Sequence, residues 1–216
     1  ARYIAARGVV VNNNMTVPAN YTQALQLFYV DSLAHDWALS FFAGNIDWPW
    51  HNQHIWRSPE FDGRWNWRPH DLDFAFGLPQ GLAPNPPFDG SAPKIDDNLY
   101  PLLNGVGSEI IKSLLRNPTF RDRFINVVAD LSNSTLNAAY MTSRLDAMMT
   151  EMRPYVPHFY GTYNLGSVTT WEGHADRIRS FALARVAAQD SHTRSHFALG
   201  AARPIAIGVS AVGHGN

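Results

Sequence analysis

Residues 53–69 restrict the fold more than any other stretch of this sequence. Two short runs rich in Ile and Trp, 53–57 and 64–69, flank the pair Asp62-Gly63. An Asp-Gly pair between such runs is a strong hairpin signal, because tight hairpin turns need positive φ and these residues tolerate it. A β-hairpin is therefore predicted. Irregular polar segments lie on both sides of it. Ahead of the hairpin, DWPWHN places Asp47 and Asn52 five residues apart in a Pro-containing loop, which can aim both side chains at one point. Behind it, Asp71 and Asp73 stand two apart in an extended segment, where alternation puts their side chains on the same side. Two carboxylates on one side suit a hard divalent cation, which takes oxygen ligands.

The remaining chain reads mostly as helix. Residues 4–11 are β-branched enough to predict a short strand, and NNNMTVPAN after them reads as a loop. A helical pattern develops from Tyr21. It is clearer over 31–42, where Leu33, Trp37 and Phe41 recur at steps of four, with Asp31 or Ser32 as the expected cap and Gly44 as the stop. Residues 78–93 are rich in Pro and Gly and predict a long surface loop, a counterpart of an activation segment or an acceptor-binding loop. Further helices are expected over 108–116, over 119–131 with Phe120, Phe124, Val127, Val128 and Leu131 on one face, from a Ser143 cap to Pro154, and over 171–189. In the third of these, Leu145, Met148, Met149 and Met152 are expected to face the core. The tail from Ala202 alternates small and apolar residues like a strand. The fold class is thus α+β, mainly helical, with a small hairpin at the candidate site. Residues 1–200 form the expected catalytic lobe, and 201–216 the expected start of a C-terminal β segment.

Charge and composition exclude several functions. A formal net charge of −1 argues against a nucleic-acid partner held by bulk electrostatics. Without cysteine there is neither a disulfide framework nor a thiolate metal site. No apolar run approaches the roughly 20 residues of a membrane span. Nine histidines occur without H-E-x-x-H or comparable spacing, so zinc is not expected. The tryptophans at 48, 50, 56, 65 and 67 read first as hairpin and core packing.

Helix, loop with Asp and Asn five apart, hairpin, acidic loop followed by Phe74 and Gly77: this order matches the catalytic segment of protein kinases. There a catalytic Asp precedes a metal-binding Asn by five residues, and a second loop brings an Asp to the metal. The motif letters of ordinary kinases, HRD and DFG, are missing. What the sequence does resemble is the CotH-type atypical protein kinases, named after a spore-coat protein. NIDWPWHNQHIWR followed by WNWRPHDLDFAFG carries the resemblance, with weaker support from LLRNPTFRDRF, RLDAMMTEMRPYVPHFY and RIRSFALARVAAQ, so that it spans roughly residues 30–197.

The resemblance implies a protein-kinase-like C-terminal lobe that transfers the terminal phosphate of ATP to Ser or Thr of a protein acceptor. It implies Asp47 as the catalytic acid at the acceptor hydroxyl and Asn52 as a ligand of magnesium or manganese. Asp71 would be a metal ligand in the DFG-like position, with Asp73 assisting or bridging, and Trp48 and Trp67 would shape the nucleotide or acceptor site. An association with coats or the cell surface is implied in the same way. A kinase also needs a lysine that pairs the nucleotide phosphates. Neither Lys94 nor Lys112 precedes Asp47, so that lysine is expected upstream of this chain, which then reads as a large lobe that binds nucleotide poorly alone. Two other readings remain open: an inactive kinase-like scaffold, and a nucleotide-sugar transferase using Asp71 and Asp73 for metal and diphosphate.

Overall fold

The computed structural model describes residues 2–77 and 95–201. The predicted loop over 78–93 and the strand-like tail from residue 202 lie outside the described residues. The elements run α1 (Arg2–Val11), α2 (Pro18–Leu27), α3 (Val30–Ala43), β1 (His54–Arg57), β2 (Trp65–Arg68), a 3-10 turn (Tyr100–Asn104), α4 (Glu109–Leu114), α5 (Pro118–Asn133), α6 (Ala138–Met152), α7 (Val156–Tyr163) and α8 (Val168–Phe197). The fold is mainly helical with one two-stranded antiparallel hairpin, as the sequence predicts.

Helix α3 is the centre of the core. Leu33, Trp37 and Phe41, at steps of four, are all buried, and so are Ala34, Ala38 and Phe42 around them. A helix apolar on nearly every side has to be covered on every side. Helices α5 and α8 and the hairpin do this, and α3 can thereby fix the direction in which the chain leaves its C-terminus. The strands attach directly: Trp67 N–H donates to Ser32 Oγ at 3.0 Å and Tyr29 N–H to the Trp65 carbonyl at 2.9 Å. The helix begins at Val30, and neither Asp31 nor Ser32 caps it. The Ser32 hydroxyl instead donates to the Tyr29 carbonyl at 2.7 Å while receiving the strand.

Three further expectations are corrected. The segment 4–11 is a helix: Ala6 and Val10, one turn apart, are buried against the core, and Tyr3 meets Trp65 edge-on at 5.2 Å. Tertiary packing here overrides β-branched propensity. Helix α6 is capped by Asn137, whose side chain accepts from Tyr140 N–H at 2.8 Å, and Ser143 lies inside the helix. Its inner side is Met141, Leu145 and Met149, all only partly covered, and Met148 and Met152 are exposed rather than core. Residues after Pro154 continue into α7, where Pro157 occupies the first turn, a position at which its missing N–H costs nothing. Helix α8 is longer than expected, opening on a reciprocal cap between Ser167 and Thr170.

Candidate active site

Gly44 ends α3 in the left-handed conformation (φ 65°), so the chain turns sharply into the loop of Asp47 and Asn52. That loop and the end of α3 are bound to the second acidic loop by three hydrogen bonds. Asn45 Nδ2 donates to the Asp71 carbonyl at 3.3 Å, Ile46 N–H to the Phe74 carbonyl at 3.3 Å, and Phe76 N–H to the Ala43 carbonyl at 2.7 Å. Asn45 is fully buried, so its short side chain acts as a fixed spacer between the loops. On the other side, Gln53 Nε2 donates to the carbonyls of Pro49 and Gly107, both at 2.8 Å. Gly107 has φ 88°, and a Cβ there would lie 2.7 Å from the Pro49 carbonyl oxygen, so no larger residue fits against the loop.

The loop places Asp47 and Asn52 in direct contact. Asn52 adopts positive φ (59°), which carries its side chain back, and its Nδ2 donates to Asp47 Oδ2 at 2.7 Å. An ionised carboxylate only accepts, so the amide nitrogen faces Asp47 and Asn52 Oδ1 is left for another partner. Asp47 is buried, and its second oxygen, Oδ1, has no hydrogen-bond partner among the described residues. Burial raises the Asp47 pKa, the Asp71 charge raises it further, and His51 and the Asn52 bond oppose this. Asp73 is likewise raised, first by burial, then by a hydrogen bond with Asp71, then by the Asp71 and Asp47 charges. The two loops have thus brought three carboxylates into one electrostatic field. Asp71, the residue common to both shifts, is exposed and has positive φ (54°).

The donor chemistry fits a divalent cation that arrives with substrate. Among the described residues no group of three His, Cys, Asp or Glu side chains forms a ready cage. Magnesium seldom uses one, since it is held by one or two carboxylates together with substrate phosphates. The carboxylates of Asp47, Asp71 and Asp73, beside a carboxamide oxygen left over by Asn52, supply oxygen donors of this kind.

Trp48 lies inside the core, whereas Trp67 also lines a pocket with Trp37, Gln53 and Gly107. Trp48 is buried against Trp37, with ring centroids 4.2 Å apart, and Trp67 is buried against Phe28 at 5.6 Å. They support the two loops from inside the core. Two residues that matter to the site escape a reading by motif. Asn45 lies within the quoted motif but its partner is 26 residues away. Arg185 on α8 is fully buried and donates to four carbonyls: Phe41 and Phe42 at the end of α3, and Ile95 and Asp97. A single arginine between Phe181 and Gln189, one turn either side on a buried helical face, was the available signal.

The model of the CotH kinase protein family matches residues 3–188. This covers most of the chain, which belongs to the CotH kinase family and is in that sense kinase-like. No match is found among curated proteins. No helix among the described residues is long and apolar enough to cross a membrane.

Proposed function

We propose that this chain carries the catalytic centre of an atypical protein kinase, with the terminal phosphate of ATP as the transferred group and a Ser or Thr hydroxyl of a protein as acceptor. The observation that carries this reading is the state of Asp47: one carboxylate oxygen pinned by Asn52 at 2.7 Å, the other buried and without a partner among the described residues. A carboxylate pinned through one oxygen, with no protein partner on the other, can orient an acceptor hydroxyl and accept its proton at Oδ1 when the acceptor's approach uncovers that oxygen. Asn52 Oδ1 and the carboxylates of Asp71 and Asp73 would hold magnesium or manganese. The bound cation would supply neutralisation of phosphate charge. Most of the rate would come from positioning and charge stabilisation, with the base contributing less.

Transfer of labelled terminal phosphate from ATP to the protein itself or to a Ser-rich acceptor tests this directly. Asp47→Ala is expected to lower transfer at least a hundredfold, the usual order for removal of a positioned acid or base, while nucleotide still binds. Asp71→Ala is expected to weaken metal-dependent nucleotide binding itself. Equal loss of binding in both variants would overturn the division of roles, and absence of metal-dependent nucleotide binding by the full-length wild type would overturn the kinase reading.

The acid side of the pH profile gives a second check. Asp47 has to be ionised to accept a proton, so transfer should fall as pH drops through its raised pKa. The Asn52 hydrogen bond holds that pKa down. Asn52→Ala should therefore move the acid limb to higher pH, and a limb that stays in place would remove Asp47 as the titrating group.

A further inference from the structure

The hairpin has an open end and a closed end, and the acidic loops leave from the open one. His54 pairs with Arg68 there, at the last rung of the ladder. Asn52 lies two residues before this rung and Asp71 three residues after it. Along both strands alternate residues point to opposite faces. Ile55, Trp65 and Trp67 pack on the core, which turns His54, Trp56 and Arg68 to the other face. Arg68 is exposed, and its Nε donates to His54 Nδ1. The His54 ring in turn lies 5.3 Å from that of His70, one residue before Asp71.

This arrangement is unusual for an arginine beside an acidic site, because no carboxylate takes it. Among the described residues Arg68 enters none of the ion pairs. The two other hairpin arginines are engaged at the closed end: Arg57 Nε donates to the Gly63 carbonyl, and Arg64 pairs with Asp62 at 2.8 Å. Held through Nε alone, the Arg68 guanidinium keeps its two Nη groups as a free fork, the geometry that takes two phosphate oxygens at once. A polyphosphate approaching Asp47, Asp71 and Asp73 meets three carboxylates, and Arg68 stands at the hairpin end from which both acidic loops leave, three residues before Asp71.

We infer that Arg68, oriented by His54, binds the phosphate chain of the nucleoside triphosphate at the mouth of the hairpin. This rests on the kinase reading and deepens it, since it assigns to a residue of this chain the pairing of the nucleotide phosphates. Arg68 would contact the phosphates, and His54 would act through it as a positioning residue.

The test is equilibrium binding of ATP and adenosine to the full-length protein in the presence of magnesium, with Arg68→Gln, Arg68→Lys and His54→Ala beside the wild type. Arg68→Gln should weaken ATP by about ten- to a hundredfold, the loss expected for charge-assisted hydrogen bonds to phosphate. Adenosine binding and the thermal midpoint should not change, because the side chain is exposed. Arg68→Lys should restore part of the ATP affinity by charge, and His54→Ala should give a smaller, ATP-selective loss. ATP bound equally well by Arg68→Gln, with Asp71→Ala defective, would overturn the role of Arg68 and leave the kinase reading intact. An equal loss of ATP and adenosine would overturn it as well, whereas a wild type that binds neither would remove the kinase reading underneath.

Discussion

Asp36 is an exception within the most apolar helix of the molecule. It is buried in α3, its Oδ2 has no hydrogen-bond partner among the described residues, and burial pushes its carboxyl up to about 7. An unfolded Asp titrates near 3.9. The native state therefore holds a proton that the unfolded chain has released, and stability falls as pH rises from about 4 to about 7, with the full penalty above that. A shift of this size corresponds to something on the order of 4 kcal/mol. Asp36→Asn is expected to raise the urea midpoint clearly at pH 8 and much less at pH 5. A gain independent of pH would show that ionisation of Asp36 is not its cause.

At the level of elements, α8 is held to α3 by Arg185. Its guanidinium lies at the C-terminal end of α3, where unpaired carbonyls and the helix dipole both favour a cation. Burial lowers its pKa to about 10, so it stays charged at neutral pH. Arg185→Met removes the four hydrogen bonds from a buried guanidinium to these carbonyls and should cost about 3 kcal/mol in urea unfolding at pH 7. Arg185→Lys should recover only part, since one ammonium cannot span the fork. This clamp also marks the limit of what local sequence can tell. The hairpin, the Gly44 stop and the face of α3 were legible because each depends on neighbours within one turn or one strand pair. The contact of Asp47 with Asn52 was legible for the same reason, at a separation of five. The Arg185 bonds to α3 span 143 and 144 residues, and nothing local encodes them. Helix α1 misled because Val9, Val10 and Val11 favour a strand in isolation, and the inner side of α6 because its methionines have two apolar faces and α8 covers only one.

Burial is uneven across the molecule. Helices α1 to α5 and the hairpin share one core, with the candidate site at its edge. Helix α6 has no buried residue and α7 only Val156, and both rest on α8. The surface pairs Arg179 with Asp146 and Arg153 with Glu172 fasten α6 to α8, and exposed pairs contribute little. Amides of α6 and α7 should thus exchange hydrogen well before those of α3 and α5, in native-state exchange followed residue by residue. Protection in α6 equal to that in α3 would show a cooperative unit that burial does not reveal. The hairpin has a practical consequence of another kind. Its closed end is separated from the acidic loops by the length of the strands, about 13 Å at 3.3 Å per residue, and Glu60 is exposed there. Because these 216 residues contain no cysteine, Glu60→Cys would give the chain a single thiol, a place for one fluorophore near enough to report nucleotide arrival and far enough not to obstruct it.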